Sequence, residues 1–141
     1  SIRGRMMDIR DLHNSITVEN GRTTAAITTN TTSAGAIIDM AGTGGVEFII
    51  TVSARTDGTY TPTITVGNDS GLSDGAAADA SILRGTLAGA ALSANGVSNV
   101  GVAANQGYRY ARLSIVSTSV TTGATVGATA VKHDLSLQPV G

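Results

Sequence analysis

Val46-Glu47-Phe48-Ile49-Ile50-Thr51-Val52-Ser53-Ala54 and, after a five-residue gap, Tyr60-Thr61-Pro62-Thr63-Ile64-Thr65-Val66 decide the fold class of this chain. In both segments the apolar side chains fall on even numbers, with threonines between them in the second. A period of two marks a strand with one buried face. Between the segments lies Thr56-Asp57-Gly58, and side-chain parity selects how such a turn would close. A two-residue loop would set Val52 against Thr63 and split the apolar faces. A three-residue loop sets Ala54 opposite Tyr60, Val52 opposite Pro62, Ile50 opposite Ile64 and Phe48 opposite Val66. All apolar residues then share one face, and Gly58 stands where that turn needs positive φ. The expectation is a β-hairpin, with Pro62 either on a sheet edge or with its missing N–H turned away from its partner.

The 141 residues make one domain's worth of chain, with a single Phe, three Tyr, no Trp and no Cys. A core of Ala and Val buries less apolar area per residue than one of Leu and Phe, at ~25 cal/mol per Å². Without cysteine, disulfides and thiolate metal sites are excluded, and association with other chains is the remaining aid to a lean domain. The formal charge of −1 and the lack of a basic stripe with aromatics give no reason to expect nucleic acid. No apolar run is long enough to span a bilayer as a helix. Ser1-Ile2-Arg3-Gly4-Arg5 lacks the apolar run of a signal peptide, so an intracellular site of synthesis, in place of secretion, is the expectation.

Residues 1–12 carry Arg3, Arg5, Asp8, Arg10 and Asp11 among Ile2, Met6, Met7, Ile9 and Leu12. They read either as a mobile terminus or as an arm lying on a neighbouring subunit, with the methionines as adaptable apolar contacts. Ser15 to Glu19 reads as a short strand ended by the turn pair Asn20-Gly21. Arg22 to Ser33 is a weak strand or a surface connection, and Ala36 to Met40 is a further strand. The Gly-rich run Ala41 to Gly45 leads into a strand and not a helix, against a phosphate-binding loop.

From Gly67 to Gly96 the chain turns to Gly, Ala, Ser, Asn and Asp. A connection this long is functional, mobile or holds a small element. Ala76 to Arg84 has the pattern of a short helix, with Ile82 and Leu83 inward and Gly85 as its stop. Asn68, Asp69, Asp74 and Asp79 lack the spacing of a calcium loop and suit turns better. Val97 to Val102 and Tyr108 to Val116 are strands, and a last strand runs from Thr125 to Leu137. In the Tyr108 segment Ala111, Leu113 and Ile115 alternate with Tyr110, Arg112 and Ser114. One face is therefore buried, and the other is either a Tyr/Arg binding surface or ordinary sheet surface with arginine stems over tyrosine rings.

Six to eight strands, turn signals between them and at most one short helix predict an all-β chain. The architecture expected is a single β-sandwich or jelly-roll-like domain over 15–141 with an extended N-terminal arm over 1–14. Chemistry has little to use. His13 and His133 are the only histidines, and His133-Asp134 would point to opposite faces of a strand, which argues against a base and its orienter. No catalytic residue, cofactor or metal site is assigned.

Four stretches resemble a known family: Thr56-Asp57-Gly58-Thr59-Tyr60-Thr61-Pro62, Asn99-Val100-Gly101-Val102, Gly107-Tyr108-Arg109-Tyr110-Ala111-Arg112-Leu113 and Thr122-Gly123-Ala124-Thr125-Val126-Gly127-Ala128. In order and spacing, over about Gly45 to Val131, they are similar to the small β-sandwich head proteins of tailed bacteriophages and prophages. Two segments depart from it. The Gly/Ala/Asp loop replaces an aromatic and acidic stretch, and Lys132-His133-Asp134-Leu135 replaces a basic tail containing His-Pro. The resemblance implies a non-enzymatic capsid decoration or cement protein, made in the host cytoplasm and carried on the phage head surface. Its partners would be the major capsid protein and further copies of itself, a trimer among the possible forms. The contacts expected are Ile2, Arg3, Arg5, Met6, Met7, Ile9 and Arg10 of the arm, Tyr108, Tyr110 and Arg112 of the sheet, and the Gly67 to Gly96 loop as a second surface. The alternatives are a tail or neck component, a carbohydrate-binding β-sandwich module, or a hydrolase using His133 or loop carboxylates.

Overall fold

A computed structural model of the chain describes residues 15–104 and 107–133. Their strands are β1 (Ile16–Ile27), β2 (Thr31–Asp39), β3 (Gly45–Ser53), β4 (Thr59–Gly67), β5 (Ala76–Ala77), β6 (Leu83–Arg84), β7 (Gly96–Ala103), β8 (Tyr110–Thr118) and β9 (Ala124–His133). They form two antiparallel sheets, in the orders β1-β9-β3-β7-β6 and β2-β8-β4-β5. The chain folds back on itself as one long hairpin. β1 pairs with β9, β2 with β8, β3 with β7 and β4 with β5, and these pairs alternate between the sheets. Rolling that hairpin up adds the β9-β3 and β8-β4 ladders and gives jelly-roll order, with β6 as a short extra edge. The all-β sandwich expected from the sequence is what forms.

The hairpin expected between β3 and β4 does not form. β3 is flanked by β7 and β9, so both of its edges are taken, and β4 lies in the other sheet beside β8. The parity was nonetheless right. Val46, Phe48, Ile50 and Val52 face Tyr60, Ile64 and Val66 across the core, all at 2% exposure or less. The residues read as a turn serve another loop instead. The Asp57 carboxylate accepts the backbone N–H groups of Thr121, Thr122 and Gly123, and the Thr56 N–H donates to the Gly123 carbonyl at 2.9 Å. Those amide donors, Thr122 foremost, hold the Asp57 carboxyl below its ordinary pKa. Pro62 behaves as expected. Tyr60, two residues earlier, exchanges N–H and C=O bonds with Leu92 on the side away from β8, so the Pro62 nitrogen also points away from that ladder.

Two other local expectations change. Asn20-Gly21 is a bulge inside a twelve-residue β1 and not its end, with register shifts between Asn20 and Arg22 and again before Ala25. The bulge lets β1 close on β2, since a Cβ on Gly35 would lie 2.2 Å from the Gly21 carbonyl. Arg22, 7% exposed, staples this edge by donating to Ser33 Oγ at 2.8 Å and to the Thr23 and Val126 carbonyls. The segment 76–84 is not a helix. β4 and β7 each offer an edge there, and Ala76–Ala77 and Leu83–Arg84 pair alongside them as two-residue antiparallel edge strands. Ile82 is buried between them and Leu83 packs against the core, as the pattern required. Asp69, Asp74 and Asp79 accept backbone N–H bonds from Gly71, Asn68 and Ser81, which is turn chemistry. The last strand is observed to His133. The arm expected over 1–14 and the end of that strand lie outside the described residues.

Candidate functional site

β8 sits between β2 and β4, and its parity builds one outer face. With Ala111, Leu113 and Ile115 buried, Tyr110, Arg112, Ser114 and Val116 point outward. Ile37 and Thr65 flank Arg112 in register, and Thr63 and Thr61 flank Ser114 and Val116. The sequence reading did not place Ile37 or the threonines on this face. The signal was there: Ile37-Ile38 are adjacent, Ile38 is fully buried, and so Ile37 must face out.

Tyr108 is not on this strand, which starts at Tyr110. With Met40, Gly42, Thr43, Asn68 and Arg109 it lines a shallow groove of about 300 Å³ at one end of the sandwich, and it is 37% exposed. Ile16 pairs with His133 at that same end, and the Gly44 N–H donates to the His133 carbonyl. Ser15, where the described chain begins, therefore lies at the end that carries Tyr108. The contact residues proposed for the arm, Ile2, Arg3, Arg5, Met6, Met7, Ile9 and Arg10, fall outside the described residues, as do His13 and Asp134.

Arg109 was not singled out in the sequence, yet it orders this end. Both guanidinium contacts to Asp39 are 2.9 Å, and the same guanidinium lies 5.2 Å from the Tyr110 ring centroid. Lys132 continues the network, donating to the Asp39 carbonyl at 3.2 Å and pairing with Glu19 at 2.9 Å. These four side chains lace β1, β9, β2 and the start of β8. The hydrogen bond from Arg109, aided by the Ala41 N–H, holds the Asp39 carboxyl down to about 2 from the ordinary 3.8. Because the folded-state value is depressed, its contribution to stability is complete above about 3.8 and lost as pH falls through about 2. Carboxyl NMR titration should place Asp39 near 2 in the native chain and well above it in Arg109→Gln. An unmoved midpoint in that variant would show that the pair does not set the shift.

A second exposed surface lies on the opposite side. On the outer face of the five-stranded sheet Val18 is 58%, Ile49 37% and Val97 64% exposed. Val18 stands beside Val131 in the β1-β9 ladder, and Ile49 is diagonal to Val131 across β3. The result is an apolar diagonal broken by Thr51, Thr129 and the Glu47–Asn99 hydrogen bond of 2.7 Å. Ile49 and Val97 were legible as apolar residues at outward parity.

Among the described residues, no helix is long and apolar enough to cross a membrane. No family model matches the chain, and no curated protein matches it. Among solved structures it is similar to the SPBc2 prophage-derived protein YomS, with a TM-score of 0.46 and 12% identity over 82% of this chain and 92% of that one. It is also similar to a chain in the structure of infectious bursal disease virus, Gx strain, with a TM-score of 0.48 and 13% identity over 85% of this chain. There it spans 32% of the other chain's length.

Proposed function

We propose that this chain is a non-enzymatic virion structural protein, a decoration or cement subunit of a tailed-phage head. It docks on the major capsid protein and associates with further copies of itself. One observation carries this. Among the described residues the large apolar side chains are sealed in the core with few exceptions, and Val18, Ile49 and Val97 are left open on one sheet face. Three exposed apolar side chains on one sheet face, interrupted by threonines and one Glu–Asn pair, suit a mixed assembly contact. The Tyr110/Arg112 face on the other side supplies residue types enriched at the centres of interfaces. Two flat faces on one thin sandwich let a subunit bridge two neighbours, and many weak bridges over a shell add through multivalency. The four stretches resembling the phage head family support the same reading as scaffold. Two of them are tied together by the Asp57 carboxylate on the Thr122 and Gly123 amides.

The test is co-sedimentation of the purified chain with phage heads assembled without it. Saturable binding and a higher temperature of head disruption are expected. Pelleting with tails or necks in place of heads would make it a tail or neck component, and pelleting with none of them would end the proposal. Light scattering of the free chain, with and without residues 1–12, reports whether it self-associates through the arm. Against the carbohydrate-binding alternative stands the Arg109 guanidinium, 5.2 Å from the Tyr110 ring centroid, which takes up one face of that ring. A glycan array should return no hit above background.

A further inference from the structure

Three arginines near the sheet faces meet three different fates. Arg22 is buried but donates to Ser33, Thr23 and Val126. Arg109 is half-exposed and forks onto the Asp39 carboxylate. Arg112 stands in the middle of the outer face of the four-stranded sheet, and its Nε is buried with no hydrogen-bond partner. Among the described residues no carboxylate lies within 4.0 Å of its guanidinium, and the acid on this face, Asp39, is already held by Arg109. Its ladder neighbours Ile37 and Thr65 and its strand neighbours Tyr110 and Ser114 bring no negative charge.

Resting on the reading of this face as a docking surface, we propose that Arg112 is its anchor and receives an Asp or Glu carboxylate of the docked protein surface. The charge complementarity is specific. The face presents one unneutralised guanidinium among apolar and hydroxyl side chains, so the surface that fits it presents one carboxylate within a polar, uncharged surround. The orphaned Nε supplies the differential. Swinging the side chain outward breaks no hydrogen bond, and it lets Nε and one Nη form the paired N–H···O bonds that a carboxylate accepts. A lysine carries the charge but lacks that fork.

Two measurements decide it. First, the chain labelled with ¹⁵N is titrated with a blocked tetraglutamate peptide while the arginine Nε–H signals are followed. Arg112 should shift in a saturable, salt-sensitive way, with Arg22 and the exposed Arg84 of β6 as internal references. An Arg112 signal that moves no more than that of Arg84 overturns the inference, whatever the chain does with heads. Second, in head co-sedimentation, Arg112→Gln should weaken binding about ten-fold or more with an unchanged melting temperature. Arg112→Lys should recover only part of it, and Arg84→Gln should bind as the native chain does. Native binding with an equal affinity for Arg112→Gln overturns the inference and leaves the docking function standing. A peptide response without head binding removes the proposed function and keeps the carboxylate site.

Discussion

Phe48→Ala is expected to cost about 3–5 kcal/mol, a large share of the roughly 5–15 kcal/mol that holds a domain of this kind folded. Phe48 is the only phenylalanine in the chain and is fully buried on β3, the strand hydrogen-bonded to both β7 and β9. Its ladder neighbours are Val100 and Ala130, and on the β1 side the ring fills the space left by Gly21, where a Cβ would lie 3.2 Å from Cδ1. Val100 and Ala130 are too short to collapse into the gap and Gly21 has no side chain, so any relief must come from Tyr60 and Ile64 of the facing sheet, and the removed ring leaves a cavity to the extent that these are already packed. In a richer core, leucines and further aromatics would share the adjustment. Chemical denaturation should show a lower midpoint at an unchanged m-value. A loss under about 1.5 kcal/mol would mean that the site relaxes, as cores do after volume-conserving exchanges, and that the lean composition does not make it brittle.

Parity along β3 and β4 was legible because burial on one face leaves its mark at every second residue. Partner choice was not. The same even-numbered pattern satisfies a hairpin in one sheet and two strands facing each other from opposite sheets, and only the β7 and β9 ladders on either side of β3 decide between them. Asn20-Gly21 carried strong local turn chemistry, but the approach of Gly35 to the Gly21 carbonyl turned it into a bulge. Residues 76–84 had helix-compatible composition, and two free strand edges outbid a helix too short to be stable alone.

For the candidate surfaces, the sequence named Tyr110 and Arg112 together because they alternate with buried residues. It could not distinguish Arg109 from Arg112, two cations three residues apart. The Asp39 carboxylate that neutralises one of them comes from β2, 70 residues earlier. Ile49 and Val97 carried a readable signal, an apolar residue on the wrong parity. Val18 did not, since the register beside Val131 depends on β9.

Gly123→Ala is expected to be the other severe change, at roughly 3 kcal/mol or more from backbone strain and forced displacement together. Gly123 has φ +105°, a conformation that costs an L side chain, and an added Cβ would fall 1.8 Å from the Ile27 carbonyl oxygen. That contact is backbone on backbone, so no rotamer change relieves it. Moving residue 123 away would stretch its N–H bond to Asp57 and the bond its carbonyl accepts from Thr56, both 2.9 Å. The loop before β9 and the β3-β4 crossing would shift together, at the place where the two ends of the rolled hairpin meet. Gly42→Ala separates the two causes. Gly42 also has positive φ, +77°, but nothing lies within 4 Å of the added methyl. It should lose only the conformational part, about 1–2 kcal/mol. Equal losses in the two variants would show that strain alone acts and that the β8-β9 loop yields freely. A much larger loss at Gly123 would make the close approach of residue 123 to the Ile27 carbonyl, where β9 starts beside the end of β1, the contact that fixes this loop.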